Sequence, residues 1–566
     1  MHVDIIPNRN SNPAVLLREG RREGKRIVKK TLANLSHLPM EQVVALREVL
    51  AGNLQCVSKL AIERSLPHGH VHMVLGMMRK LGIDSLLGSR RCRERDLVMA
   101  MIVQQVLDPC SKLATTRQWG SSTLSQTLSV EDADVNELYG ALDWLEARQK
   151  RIENKLAKRR LSEGATVLYD VSSSSYHGHS CSLAQWGYNR DGEKLRSIVY
   201  GLMTDAEGCP IAIDVYAGNT ADPKTVPDQV DKLCQRFGLE RAVLVGDRGM
   251  LTQPQVEHLK NFPNLGWISA LRYTSIRDLA ESGQLQMSLF DTQNLAEITS
   301  PEYPGERLIA CFNPFLAEER KQTRDALLER SEKKLRKIAA EAARRTQTPM
   351  APEQIAEKIG RALAKDKMAK HFQWEILNHQ LIFQRDETAI AREASLDGIY
   401  IIRTSESRER LSAEQTVRNY KRLAEVEAAF RSLKSIDLQI RPIRHYQESR
   451  VRAHIFLSML SYYVMWHIKK ALGSILFNDE TLDESRNERD PVLKAKPTEH
   501  AKTKKRRKTT AEGWPLHSFH SLLCEMATHC KNTCRIGEGK ATAHITLYSE
   551  PTPLQQHVYQ LLDIKP

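Results

Sequence analysis

Residues Val167–Tyr176 read VLYDVSSSSY, a β-branched and aromatic run with a single acid, Asp170, inside it. An ionised carboxylate in an apolar strand costs several kcal/mol unless it is paired or holds a metal. The hydroxyls of Ser172 to Ser175 offer one ordinary way to satisfy it. Further along, Ala242 to Val245 is a second short apolar run, followed at once by Gly246, Asp247, Arg248 and Gly249. That pattern is a buried strand ending in a loop, and it sets a second acid at a strand end. Around these two lie Arg196 to Thr204 (RSIVYGLMT), Pro210 to Tyr216, a helical stretch from Pro223 to Phe237 and a strand from Trp267 to Arg272. Three strands, then helix, strand, helix and strand predict a mixed α/β core whose two aspartates converge on one edge of one sheet.

A third acid lies on a predicted helix from Gln415 to Lys434. Steps of seven residues at ~100° each bring Tyr420, Glu427 and Lys434 to nearly one face, and Arg431, four residues past Glu427, joins them. In isolation such a face reads as a helix salt bridge. Beside two strand-end aspartates it reads as the third part of a site.

The chain has 566 residues, too many for one small module, and its Lys and Arg exceed its Asp and Glu by 14, with a pI near 9.2. A hydrophobic fraction of 41% excludes a wholly disordered basic protein. The surplus charge therefore rides on folded domains and attracts polyanions, nucleic acid first and an anionic membrane surface second, solubility alone being the bland reading. Met1 to Asn12 lacks the charged lead and apolar core of a secretory signal. The 10 cysteines are too sparse for a disulfide scaffold and favour a reduced, cytoplasmic setting. The longest apolar run, Ile455 to Ile468, is shorter than the ~20 residues of a spanning helix and reads as a buried one.

Local patterns divide the chain. Residues 1–38 hold a basic β-hairpin around Gly20 and Gly24, with Arg18, Arg21, Arg22, Lys25, Arg26, Lys29 and Lys30, whose cationic face suits phosphates or simply guards an edge strand. Residues 39–162 read as a helical N-terminal domain, 163–273 as the first part of the core and 274–403 as an insertion built on long charged helices. Residues 404–475 return to the core with the Glu427 helix, and 476–566 form a C-terminal region whose run from Lys502 to Lys508 predicts a solvated, mobile linker. His68, His70 and His72 read as an exposed loop, Cys524, Cys530 and Cys534 as buried helix cysteines, and Trp374 as a packed residue with a base-stacking alternative.

The segments VLYDVSSSSY, AGNTADPKT, VLVGDRGM and YKRLAEVEAAFRSLK followed by RPIRH resemble, in this order, the DDE transposases of bacterial insertion sequences. The branch they resemble is the insertion sequence 4 superfamily, marked by a Tyr, Arg, Glu, Lys signature. The resemblance extends from about Ala165 to His445. It implies a ribonuclease H-like core with an insertion before the Glu helix and with Asp170, Asp247 and Glu427 as catalytic metal ligands. One departure stands out: where the signature places Arg four residues before the Glu, this chain has Leu423, with Arg431 as the candidate substitute.

The implied chemistry needs all three acids. Mg²⁺, or Mn²⁺, prefers carboxylate oxygen, and two such ions ~3.5–4 Å apart activate the attacking oxygen and stabilise the leaving one. Water would nick the transposon end, and the freed 3′-hydroxyl would attack target DNA. Tyr420, Arg431, Lys434, Arg248 and Arg441 are the expected contacts to double-stranded DNA, and a homodimer in a synaptic complex is the expected assembly. Two other readings are a metal-dependent nuclease without strand transfer and an inactive DNA-binding regulator descended from a transposase.

Overall fold

A strand that is apolar on both sides needs cover on both faces, and Ala165–Ser175 (β1) has it. Val167, Tyr169 and Val171 enter one hydrophobic core, and Leu168 enters another on the opposite face. In the computed structural model, which describes residues 1–8, 13–23, 26–52, 60–187, 195–290, 293–536 and 543–565, β1 is an interior strand of an eight-stranded mixed sheet. The other strands are Ser197–Asp205 (β2), Pro210–Ala217 (β3), Ala242–Val245 (β4), Leu265–Ala270 (β5), Leu295–Ile298 (β6), Arg307–Phe312 (β7) and Ile399–Thr404 (β8). Their order is β6-β7-β8-β5-β4-β1-β2-β3, with β1, β4 and β5 parallel and every other neighbouring pair antiparallel.

Helices Val226–Asp231 and Gln253–Leu259 cover the face that carries Tyr169. The other face packs on helix Leu423–Arg431 and on helix Glu448–Ala471, which is buried along most of its length, as the apolar run inside it predicts. Around that long helix gather the N-terminal helices Gly69–Lys80, Arg93–Leu107 and Val135–Glu146. Among the described residues no helix is long and apolar enough to cross a membrane.

The sheet reaches into the segment 274–403, from which it draws β6, β7 and β8. Leu308 to Cys311 are fully buried, so this short apolar run finds its cover in the main sheet and not in a separate body. What lies outside the sheet is a lobe of helices Pro314–Arg344, Pro352–Asp366 and Glu387–Ala394 with the hairpin Phe372–Leu377 and Gln380–Arg385. Its own core includes Leu328, Leu335, Ile355, Ile359 and Leu363. Trp374 stands on that hairpin, 43% exposed, so it is not the packed residue its type suggested.

Several local expectations change for identifiable reasons. The run from Lys502 to Lys508 lies mostly in helix Glu499–Arg507, capped by the Thr498 side chain, instead of a mobile linker. The Lys504 ammonium is buried, donates to the Gly473 carbonyl at 2.7 Å and pairs with Glu480 at 3.0 Å. His68, His70 and His72 open helix Gly69–Lys80 instead of a loop; His68 Nδ1 meets Thr123 Oγ1 at 2.9 Å, and His72 Nε2 meets the Lys565 carbonyl at 2.7 Å. Cys524 is an exposed helix residue, whereas Cys530 and Cys534 lie in strand Cys530–Ile536. That strand pairs with both Leu60–Pro67 and Ala543–Tyr548, which ties the C-terminal region to the helical N-terminal one. The basic hairpin forms as Ala14–Glu23 and Arg26–Asn34, with Gly20 inside a strand; Gly24 and Lys25 lie outside the described residues.

Gly218 begins the turn after β3, and a Cβ there would overlap the Ser197 carbonyl oxygen. A Gly218→Ala chain should therefore unfold about 1–3 kcal/mol more easily, read as a lower urea midpoint. Burial pushes His68, His70, His445 and His467 down to about 4 and His454 well below its usual value. Between the ordinary value near 6.5 and about 4, the unfolded chain binds more protons than the folded one. Stability should hold above pH ~6.5 and fall steadily as the pH drops toward ~4, measured as urea midpoints across that window.

Candidate active site

The register of β1 and β4 sets the two aspartates. Ala165 lies opposite Ala242 and Leu168 opposite Val245, a constant offset of 77 that carries Asp170 to the level of Asp247. Asp170 shares its strand face with Leu168, the face covered by the Glu427 helix. One of its oxygens accepts from the Val171 amide at 2.8 Å, and the side chain is half-buried. Asp247 follows the last residues of β4, where the Gly246 amide still bonds to the Ile268 carbonyl of β5 at 3.1 Å. Its Oδ1 accepts from the amides of Gly249 at 3.0 Å and Met250 at 2.8 Å, so the GDRGM turn orients the carboxylate.

The third acid arrives on a helix with a break. The predicted single run is two helices, Ala413–Lys421 and Leu423–Arg431, joined at Arg422, and the chain then widens into a π turn over Ser432–Ile436. Leu423, Val426, Ala429 and Phe430 are buried against the sheet, while Glu427 is exposed one step from Val426. Tyr420 links the acids electrostatically. Burial pushes its phenol up to about 12, the carboxylates of Asp247 and Glu427 push the same way, and Arg248 opposes them. One half-buried hydroxyl thus senses both acids and an exposed arginine.

The remaining predicted cations divide. Arg248 stays beside Asp247 and is exposed. Lys434 is half-buried in the π turn, whose extra residue per turn alters the simple seven-residue spacing from Glu427. Arg431 is exposed and borders a cavity shared with Glu425, Asp437, Lys469 and Arg486, on the flank of the helix that carries Glu425 and Ala428. Arg441 follows Ile440, whose carbonyl accepts from His454 Nε2 at 2.9 Å. The RPIRH run then meets the end of β1: Ile443 bridges to Tyr176, and the His177 amide donates to the Ile443 carbonyl at 2.9 Å.

Two neighbours of Tyr420 serve the scaffold. Lys421 donates to the carbonyls of Val492 at 2.6 Å and Leu493 at 2.9 Å, and Arg422 donates to the Ala206 carbonyl at 2.8 Å. A residue the sequence reading overlooked is Ser269, fully buried in β5, whose hydroxyl donates to the Asp247 carbonyl at 3.0 Å. A lone hydroxyl in the apolar strand LGWISA was the signal available for it.

Hard carboxylate donors, two of them level on neighbouring strands, suit a divalent cation such as Mg²⁺. Among the described residues, no three His, Cys, Asp or Glu side chains are drawn together closely enough to close a cage around an ion. The carboxylate chemistry of Asp170 and Asp247 fits such an ion.

The family model described as Transposase DDE domain matches residues 162–464, more than half of the chain. The matched span runs from the start of β1 through both aspartates and the Glu427 helix into helix Glu448–Ala471. No curated protein matches the chain. The mixed sheet is consistent with the ribonuclease H-like core of such enzymes, which generally use divalent metals. Sheet topology and the matched span agree: the chain belongs to the DDE-domain transposases, enzymes that act on DNA.

Proposed function

We propose that this transposase cuts DNA at the ends of a bacterial insertion sequence and joins the freed 3′-hydroxyl to a target, using Asp170, Asp247 and Glu427 as its catalytic acids. The observation that carries this reading is the register of the parallel strands β1 and β4, which, continued two residues past the last pair Leu168–Val245, brings Asp170 level with Asp247 in the loop after β4, on the face covered by the helix that bears Glu427. In the cutting step a water oxygen forms a bond to the scissile phosphorus while the P–O bond to the 3′ oxygen breaks, and that oxygen leaves as a hydroxyl. In the joining step the 3′ oxygen attacks a target phosphorus and displaces a target 3′ oxygen, so one phosphodiester replaces another. No covalent bond to the protein is needed.

Two Mg²⁺ ions, or Mn²⁺, held by the three carboxylates, would supply the charge that activates the attacking oxygen and stabilises the leaving one. The chain's own part is positioning. The GDRGM turn fixes one Asp247 oxygen, Ser269 fixes the backbone behind it, and the Val171 amide orients Asp170. The Tyr420 phenol, held protonated at neutral pH, can donate to a phosphate oxygen, and the exposed Arg248 beside it supplies positive charge. Lys434, Arg431 and Arg441 extend the contact along the backbone of double-stranded DNA. The motif order supports assignment to the insertion sequence 4 superfamily, and pairing of two ends supports a homodimer in a synaptic complex, working in the bacterial cytoplasm on the nucleoid.

Cleavage and joining are measured with Mg²⁺ on duplexes that carry the element's ends. Asp170→Ala, Asp247→Ala and Glu427→Ala should each lose at least ~100-fold in cutting, since each removes metal-borne stabilisation of several kcal/mol. DNA binding should survive in all three. Mutants that cut like the parent would overturn the site, and cutting without joining would leave a nuclease. Tyr420→Phe should cut more slowly, by about 10-fold, if a single phosphate hydrogen bond of ~1–1.5 kcal/mol is lost.

A further inference from the structure

The basic hairpin at the N-terminus is anchored at its base and free beyond it. Strand His2–Ile6 pairs with Ala14 to Arg18 only, and a small core of Val3, Val15 and Val43 lies under that three-stranded part. An irregularity in the register falls between Leu17 and Arg18. Past it the two strands continue alone, with Glu19 opposite Lys30, Gly20 opposite Lys29, Arg21 opposite Val28 and Arg22 opposite Ile27. Residues 19–22 and 27–32 are all exposed.

Cross-strand partners share a face and successive pairs alternate. Arg22 with Ile27 therefore occupies one face and Arg21 with Val28 the other. Each face presents an arginine beside a β-branched apolar residue, with Ile27 68% and Val28 50% exposed. Asp4 orients the base of the ribbon, accepting from Arg18 at 3.1 Å and Lys29 at 3.0 Å. Among the described residues these are the ribbon's ion pairs, so Arg21, Arg22 and Lys30 carry charge outward.

Protection of an exposed edge accounts for the cations. It leaves two large apolar residues at the far part of a solvated ribbon unexplained. A two-stranded ribbon fits the ~12 Å width of the DNA major groove, where cations meet the flanking phosphates and apolar side chains meet thymine methyls. We propose that the two-stranded ribbon of residues 18–22 and 27–31 is a groove-reading element that selects the DNA sequence on which this transposase acts, with one face, that of Ile27 and Arg22, turned to the base edges and Val28 on the opposite face. The proposal deepens the function proposed above and rests on its DNA substrate. It assigns sequence choice to a segment that lies outside the matched family span of 162–464.

The test uses the full chain and a pool of random-sequence duplexes, with chelator present so that no cutting enters the readout. The parent should enrich a preferred sequence. The double variant Ile27→Ser, Val28→Ser should lose that preference by about 10-fold or more while keeping its affinity for unrelated duplexes, since each mismatched contact is worth ~1–3 kcal/mol. The triple variant Arg21→Gln, Arg22→Gln, Lys30→Gln should bind all duplexes more weakly and with a salt dependence shallower by roughly 3 in log–log slope. Circular dichroism and urea midpoints equal to the parent's confirm that these exposed substitutions leave the fold intact. Enrichment of the same sequence by both variants with parental affinity would overturn the proposal, and so would a parent that enriches no sequence. Because Asp247→Ala is assayed separately with Mg²⁺ for cutting, a wrong catalytic assignment appears there as unchanged cutting and leaves the chelated ribbon readout untouched.

Discussion

The constraint on which the rest depends is that β1 is covered on both faces and still carries a carboxylate. Tyr169 and Val171 turn toward one layer of helices and Leu168 toward another, so the strand cannot rotate or slip by one residue without burying Asp170 among aliphatic side chains. The parallel pairing with β4 then carries Asp247 to the same level without any contact between the two acids being required. The Glu427 helix is placed by the same requirement, since Val426 and Phe430 are the apolar cover for β1 and β2 on that face. The geometry of the proposed site follows from sealing a sheet.

Much of this was legible in the sequence because it is local. Asp170 and Asp247 stand out as acids in short β-branched runs, and the mixed sheet follows from the order of those runs. The Glu helix was legible from the seven-residue steps of Tyr420, Glu427 and Lys434, whereas its break at Arg422 and the π turn at Ser432–Ile436 were not. Those features answer tertiary partners: Arg422 reaches the Ala206 carbonyl more than 200 residues away in sequence. The same reason hid the fate of β6, β7 and β8, whose short apolar runs name no partner strand. It also hid Lys504, a residue that by type belongs in water and is held inside by carbonyls and Glu480. Ser269 escaped notice because a single serine in a strand carries no periodic signal.

The positive surplus is not spread evenly in its effect. Many cations are consumed in the scaffold, as when Arg403 pairs with Glu306 deep in the sheet or Lys334 and Arg330 hold Asp366 in the inserted lobe. The Arg403–Glu306 pair is neutral from a distance, and Asp366 offsets one of the two charges beside it, so these cations contribute less to attracting a polyanion. Other cations remain directed at solvent, among them Arg21, Arg22 and Lys30 of the ribbon and Arg248 beside Asp247. Net charge marks the class of partner, and the unpaired subset marks where that partner is met.

The strand Cys530–Ile536 lies between Leu60–Pro67 and Ala543–Tyr548, so residues almost five hundred positions apart share one small sheet. For a chain emerging from the ribosome, the early strand Leu60–Pro67 lacks this neighbour until Cys530–Ile536 follows, more than 460 residues later. The seam between the two regions closes only once Cys530–Ile536 has been made. Shortened products of translation would therefore leave that seam open and be prone to proteolysis. The small sheet thus couples the durability of an early segment to the synthesis of a strand more than 460 residues later.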